Sequence, residues 1–530
     1  MMKTNRYAFL FNFRQWFFVV SILIVTGLAT AAPIGEVEIE QVVNDAMARF
    51  KVPGMAVGIV KDGEVVHLHG YGVREVGIAA TVNIDTLFKV ASNSKAFTTT
   101  ALSILVDEGK LEWQTKVVDV IPEFRLSDPW VTAELNILDL LTHRSGMNEG
   151  AGDLMLWPEP NYFTRADIIH GLRHFDLVKQ FRADYAYDNL LYIVAGELIP
   201  RLTNKQWGEF VDTRIMQPLN LQNCFAGPMS DVAKANLAAP HGLVEGELAV
   251  IERSRINDAV SNMAAAGAVR CSAADMTIWI KTLLNHGEMP GGNRLYSEVQ
   301  GEQMWTPHIQ RSVGEFEQKW GRTHFSSYGL GWRISDVYGY KQVSHTGSLA
   351  GFRSYVTLIP ELDLGVVVLT NGSSSMARKA VMYSLVRSYL TNEKIDWTAE
   401  LLKSQQEYYA EVVAEPELEF EAVGEKISAE IVGDYIDPWF GIVTIVSEGQ
   451  KLILKSAMSP ILEGELKYLG DSNFVVEWFD RTLEADAYVR FERSSLGKIS
   501  GIKMKAVSPE TDFSFDFHDL DFDRLAPDRD

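Results

Sequence analysis

Phe88-Lys89-Val90-Ala91-Ser92-Asn93-Ser94-Lys95-Ala96-Phe97 sets a serine three residues ahead of a lysine, and a helical pattern follows at once. Apolar side chains recur at Ala101, Leu102, Leu105 and Val106, and Gly109 is a suitable C-terminal stop. If the helix begins at Ser92, that serine and Lys95 share one face, a turn apart. The serine then stands at the positive end of the helix dipole, where a developing anion is stabilised. An amine within reach of a hydroxyl can take its proton, the minimum needed to make serine a nucleophile. Ser495/Lys498 and Ser500/Lys503 have the same spacing, but they fall in strand-like sequence around Gly497 and Gly501, where positions three apart point to opposite faces. The plainer alternative for Ser92 is an N-cap serine followed by a solvated lysine.

Around this pair lies a chain of 530 residues, too long for one ordinary core, which predicts two or three domains. Its net charge of -21 argues against nucleic acid and anionic membrane surfaces as partners. Two cysteines, Cys224 and Cys271, exclude a disulfide framework; they can form at most one bridge, in an oxidising compartment, if the fold brings them together. Lys3, Arg6 and Arg14 precede and flank an uncharged run from Trp16 to Leu28, and Ala29-Thr30-Ala31 fits a cleavage site. Residues 1–31 therefore read as an export signal and place the mature protein in the periplasm or outside the cell. The alternative is an uncleaved N-terminal membrane anchor, for which the run is short. Cleavage removes three positive charges and no acid, leaving -24 (-21 minus 3).

Going along the chain, Ile39 to Phe50 is patterned as a helix, and Lys61-Asp62-Gly63 between apolar runs predicts a β-hairpin. His67 and His69 share a strand face in that hairpin, but a zinc site needs three or four ligands and no third is recognisable, so no metal is expected. His143, after the run Ile137 to Leu141, is a conceivable base for Ser92; the turn-like Ser145-Gly146 that follows favours a role in satisfying local backbone groups. Tyr187 and Asn189 sit just ahead of an apolar helix, Leu190 to Leu202. A phenol held near an ammonium ionises more easily and can act as a base, and a side-chain amide can hold a substrate carbonyl. Val343-Ser344-His345-Thr346-Gly347-Ser348 opens a strand region that continues as Phe352 to Ile359 and Leu364 to Leu369. Gly347 lets the backbone approach the substrate closely, and the amide of Ser348 with that of Ser92 could form an oxyanion hole. Ser348 is not in a Gly-x-Ser-x-Gly elbow.

The ordered set Ser92-x-x-Lys95, Tyr187-x-Asn189 and His345-Thr346-Gly347 resembles the serine β-lactamase and penicillin-binding-protein superfamily, in its class C and S12 peptidase branch. Leu140-Leu141-Thr142-His143-Arg144-Ser145-Gly146 is similar to the same family, and the resemblance runs from about Val37 to Leu390. It implies an α/β (α+β) fold, an antiparallel sheet with flanking helices packed on a helical region, with the site between them. It implies Ser92 as nucleophile, Lys95 and Tyr187 as the proton-transfer pair, Asn189 as a partner of both substrate and lysine, and His345, Thr346, Gly347 and Ser348 as further substrate-binding residues, with no cofactor. One departure stands out: β-lactamases of this type usually carry lysine where His345 stands. A neutral histidine is expected to hold a substrate carboxylate poorly unless Arg353 supplies the charge, so esters and neutral amides should be preferred to penicillins, and His345→Lys should favour carboxylates.

After the helix expected over Ala377 to Leu390 the composition changes. Residues 32–392 form the expected hydrolase domain, 393–425 a helical and acidic linker, and 426–530 an all-β domain of short runs. That domain, with Tyr435-Ile436-Asp437-Pro438-Trp439-Phe440-Gly441, resembles the lipocalin-like barrel appended to some S12 hydrolases. Phe513, Phe515 and Phe517 alternate and are expected to fill its interior, and few contacts are expected to cross the linker. The sequence thus predicts an exported serine hydrolase acting through an acyl-enzyme on a small-molecule or peptide substrate (a D-amino-acid peptide, β-lactam or ester), with homo-oligomer formation through the barrel as a further possibility. The competing reading is a penicillin- or peptidoglycan-binding sensor that acylates without turnover.

Overall fold

The computed structural model describes residues 32–254, 262–289, 291–412 and 418–526; the export signal expected over residues 1–31 lies outside them. Eight antiparallel strands make the main sheet: β1 (Gly54–Lys61), β2 (Glu64–Gly72), β3 (Ile309–Arg311), β4 (Ser326–Tyr328), β5 (Arg333–Val337), β6 (Tyr340–Leu349), β7 (Phe352–Ile359) and β8 (Leu364–Thr370), in the order β2-β1-β8-β7-β6-β5-β4-β3. Asp62 and Gly63 both have positive φ, so the first hairpin turns in the tight form its Asp-Gly pair favours. The run Gly365-Val366-Val367-Val368-Leu369 in β8 is apolar throughout because helices cover both faces of the strand. Val366 and Val368 pack with α1 (Glu36–Arg49) and the C-terminal α5 (Ser375–Ser388), whereas Val367 and Leu369 face the core that holds α4 (Ala273–Leu284).

The helical region is built around α2 (Ser94–Asp107) and α3 (Leu190–Thr203). Residues Ser94 to Leu105 of α2 are all buried, and a helix buried all round belongs at the centre of a domain. It ends at Gly109, which adopts positive φ. Ser92 lies in a single 3-10 turn, Ala91–Asn93, immediately before α2.

Just ahead of that turn, Phe88–Lys89 is one edge of a three-stranded sheet whose middle strand is Arg270–Cys271. Phe88 pairs with Cys271, and Cys271 pairs on its other side with Cys224, to which it is disulfide-bonded. The two cysteines therefore cross-link the sheet that delivers the chain to Ser92.

The second domain is a closed eight-stranded antiparallel barrel, opening at Gly433–Asp437 and closing at Asp521–Arg524. Tyr435, Phe474, Trp478 and Phe491 are buried in it. Two expectations are corrected here. The segment Phe513 to Phe517 is not a strand but a loop ending in a short 3-10 turn, and only Phe517 is fully buried, stacked on Trp478. Phe513 points away from the barrel, packing edge-on against Tyr187 of the first domain at 6.1 Å between ring centres.

Contacts between the domains are extensive rather than few. Trp439 packs on Phe175 and Phe440 on Phe163, with ring centres 4.9 and 5.8 Å apart. Tyr162 N donates to Met458 O at 2.8 Å, and Arg253 pairs with Asp480 at 2.6 Å. Apolar core residues of the two domains form one continuous cluster. The acidic link marks a change of composition, but the barrel folds back beyond it and buries its aromatic end on the helical region.

This packing makes the domains one thermodynamic unit. Trp439→Ala is expected to destabilise the whole protein by about 3–5 kcal/mol, the range for losing a large buried aromatic. A chain ending after residue 412 is expected to aggregate, with Phe163 and Phe175 newly exposed. A soluble, cooperatively melting truncation with wild-type Tm would contradict a shared core.

Candidate active site

The site begins with backbone. Ala91 has φ 48°, a left-handed conformation that a residue bearing a Cβ adopts only under constraint. The constraint is visible: Ser354 Oγ donates to Val90 O at 2.6 Å and accepts from Asn93 Nδ2 at 2.7 Å, tying the turn to β7. Gly347 on β6 lies against the same turn, where a Cβ would fall 2.3 Å from Val90 O and 2.9 Å from Ala91 Cβ. The glycine expected to admit substrate thus makes a different close approach here, to the turn that carries Ser92, and the absence of a side chain is what lets strand and turn meet.

Lys95, on the first turn of α2, has no solvent exposure. Its Nζ lies 3.3 Å from Ser92 Oγ, 2.6 Å from Asn189 Oδ1 and 3.1 Å from Ala266 O. Burial pushes its pKa down to about 7, against the opposing pull of Asp153 and Asp188, with Arg333 adding to the depression. A neutral amine has two N–H donors and one lone pair. Asn189 Oδ1 and Ala266 O can only accept, so they take the two donors and leave the lone pair aimed at the Ser92 hydroxyl.

Tyr187 completes the cluster. Lys95 Nζ sits over its ring, 4.8 Å from the centre, and its buried hydroxyl faces Ser92 without a well-formed hydrogen bond. Burial drives the phenol pKa upward. The expectation that a neighbouring ammonium eases its ionisation is corrected: desolvation outweighs that attraction, and Tyr187 is a neutral phenol in the resting site. His143 lies tilted against Tyr187, with ring centres 4.3 Å apart, and its Nδ1 accepts from Asp188 N at 3.1 Å, a structural bond that leaves Lys95 as the amine at Ser92.

His345 is 1% exposed. Its Nδ1 meets Thr346 O at 2.7 Å and must donate there, so Nε2 accepts from Tyr328 Oη at 2.8 Å. Burial, with Arg333 and Lys95 nearby, holds its pKa well below the ordinary value, so the ring is neutral. Both ring nitrogens of His345, expected to bind substrate, are engaged in the wall of the site in this resting arrangement. Thr346 is partly exposed and accepts from Arg333 Nη1 at 2.9 Å. Ser348 is exposed, and its Oγ accepts from Arg378 Nη2 at 3.3 Å. Arg353 is not beside Thr346. It lines an inter-domain cavity of about 200 Å³ with Ser348, Glu484 and Asp512.

Sequence reasoning missed Arg333 and Asp153. Arg333 opens β5, where nothing in its local pattern distinguishes it from a solvated strand residue. Asp153 sits in the Gly152-Asp153-Leu154 turn, fully buried, and its Oδ2 accepts from Asn189 Nδ2 at 2.8 Å. His67, of the histidine pair considered above, bonds Tyr71 Oη at 3.0 Å, far along the sheet in β2.

Residues 39–391 match the family model described as beta-lactamase, and residues 422–524 match one described as a domain of unknown function. The chain is 30% identical over 374 residues to the unguisins hydrolase of Aspergillus campestris, covering 67% of this chain and 66% of that protein. It is 28% identical over 333 residues to penicillin-binding protein 4 of Amycolatopsis lactamdurans, covering 61% and 81%. In fold it is similar to the octameric penicillin-binding protein homologue from Pyrococcus abyssi, with a TM-score of 0.57 at 20% identity over 93% of this chain and all of the other. The family model spans two thirds of the chain and encloses Ser92, Lys95, Tyr187 and Asn189: the chain belongs to the beta-lactamase family of serine hydrolases.

Proposed function

We propose that the protein is an exported S12-type peptidase or esterase that works through a Ser92 acyl-enzyme. The observation that carries this is the buried Lys95, whose two donors are occupied and whose lone pair faces Ser92 Oγ. In acylation the Ser92 oxygen forms the bond to the substrate carbonyl while its proton passes to Lys95. The amides of Ser92 and Ser348 hold the oxyanion. Tyr187, a neutral phenol facing Ser92, donates to the leaving amine or alkoxide and is reprotonated from the Lys95 ammonium. Water then repeats the sequence on the acyl-enzyme. The Cys224–Cys271 bridge supports export, since such bridges persist in oxidising compartments. The similarity to a protein named as a hydrolase and to another named as penicillin-binding favours amide or ester bonds as targets. Self-association is an accompanying expectation, prompted by the octameric neighbour and read by light scattering.

A fixed cation is available for a substrate carboxylate, but it is Arg333, hydrogen-bonded to Thr346, rather than residue 345. The expected weakness toward carboxylate substrates therefore does not follow from His345. His345→Lys would bury a third cation beside Lys95 and Arg333, so it is not a gain for such substrates.

Screening the purified protein against a D-aminoacyl peptide, a cephalosporin and a short-chain ester tests the reading directly. Many products per protein are expected on at least one of them; a single burst with no turnover would instead identify a sensor.

Two further outcomes are expected. With a neutral ester, kcat/KM should rise with pH through an apparent pKa near 7, because Lys95 is a base only after losing its proton. Lys95→Ala should lose about 10²–10⁴-fold. A flat profile from pH 5.5 to 8.5 would remove Lys95 from the base role. Arg333→Gln should weaken a substrate with a free carboxylate beside the scissile bond by roughly 1–3 kcal/mol in kcat/KM, leaving the neutral ester much less affected. Equal losses on both would show that Arg333 supports the site without reading the carboxylate.

A further inference from the structure

The catalytic amine is aimed by Asn189, yet a neutral lysine amine can both donate and accept, so in that state its own chemistry does not fix which end of the amide turns toward it. Flipped by half a turn, Asn189 would present Nδ2 to Lys95, and the amine would lose an acceptor and turn its lone pair away from Ser92. Something must hold the amide in one sense. Asp153 does so, since its Oδ2 accepts from Asn189 Nδ2 at 2.8 Å and leaves Oδ1 facing Lys95.

Asp153 is itself held from the other domain. Asp516, on the barrel loop that also carries Phe513, is fully buried and accepts from the amides on either side of Asp153: Gly152 N at 2.7 Å and Leu154 N at 3.0 Å. Gly152 has φ 79°, and a Cβ there would lie 2.3 Å from Leu190 and 2.7 Å from Phe175, so this turn is both strained against side chains and tightly packed. Ser514, from the same barrel loop, also bears on the Asp153 carboxyl.

We propose that Asp153 and the barrel residue Asp516 are positioning residues of the hydrolase, forming a relay Asp516–(Gly152, Leu154)–Asp153–Asn189–Lys95 through which the second domain sets the direction of the catalytic amine. The barrel is thereby a working part of the active site. The proposal rests on the Lys95 reading above and extends it across the domain boundary.

The charged and titratable groups around the relay bear on its pH behaviour. Lys95 is faced by Asp153, Asp188 and Arg333, and by the rings of Tyr187 and Tyr192, with His143 and His345 also close enough to feel it. Asp153 is faced by Asp188 and Asp516, and both raise its pKa on top of desolvation. Asp153 pulls the Lys95 pKa upward, so neutralising it should lower the pH at which Lys95 becomes a base.

The test is single-turnover labelling of the full-length protein with a fluorophosphonate, in which Ser92 Oγ forms the P–O bond, fluoride leaves and Lys95 takes the proton. The rate constant reports the folded fraction alone, whatever its amount. Wild-type labelling at Ser92 is the control; if that is absent the hydrolase reading fails, independently of the relay. At the high-pH plateau, where Lys95 is neutral in every variant, Asp153→Ala should label at least about tenfold more slowly, and Asp153→Asn, which keeps an acceptor oxygen, should recover most of the rate. Both should move the pH midpoint downward. Asp516→Asn, which replaces one acceptor with a donor facing a backbone amide, should also lower the plateau. Plateau rates within roughly twofold of wild type in Asp153→Ala and Asp516→Asn would overturn the proposal. So would an Asp153→Asn variant as slow as Asp153→Ala, since a loss that an acceptor cannot repair is one of packing. If Asp153→Ala does not fold, the Asp516→Asn plateau decides.

Discussion

Lys95 is an amine sealed from water, and much of the first domain is arranged to make that tolerable. An isolated buried ammonium is strongly disfavoured, so the group responds by releasing its proton more readily, and its pKa falls to about 7. Burial alone would carry it further. Asp153 and Asp188 pull in the opposite direction, and the balance leaves an amine that can be emptied and refilled near neutrality. The same desolvation acts with opposite sign on Tyr187, whose neutral form is favoured. In the proposed mechanism one physical effect thus divides the roles, making the lysine a base and the phenol a donor. The burial of α2 along its whole first three turns supplies that desolvation.

That burial needs a wall on every side, and the barrel supplies one of them. Phe513 covers Tyr187, Asp516 grips the turn behind Asn189, and Trp439 and Phe440 lock the domains by their aromatic faces. A barrel joined by a mobile tether would leave the catalytic amine partly wet. The disulfide fixes the short sheet from which the nucleophile turn emerges.

What the amino-acid sequence made legible was local and periodic. The Asp62-Gly63 hairpin, the apolar β8, the α2 pattern with its Gly109 stop and the ten-residue rhythm of the barrel strands all follow from spacing within a short window. Ser92, Lys95, Tyr187 and Asn189 stood out because three short motifs occur in order, although only the fold places Asn189 against Lys95 across 94 positions. The remainder depended on contacts with no local signature. Asp153 and Asp516 are ordinary loop aspartates until burial and 362–364 residues of separation are known. Phe513, Phe515 and Phe517 alternate as a strand would, and the chain instead spends that segment reaching back into the first domain, where tertiary packing overrides a period-2 pattern too short to fix register.

The position of His345 shows how charge can move within a site while its chemistry persists. A lysine at that place would lie close to the buried Lys95 and to Arg333. Its charge would repel that of Arg333 and oppose the uptake of a proton by Lys95, so with the guanidinium of Arg333 fixed on Thr346 the position is better filled by a group that can stay neutral. Histidine does this and also bridges Tyr328 to the backbone of β6, using both nitrogens. The cation held against β6 at Thr346 thus comes from β5, one strand over. Residue 345 is free to be neutral because residue 333 is charged, and the two positions are best understood as a single choice about where one positive charge is kept.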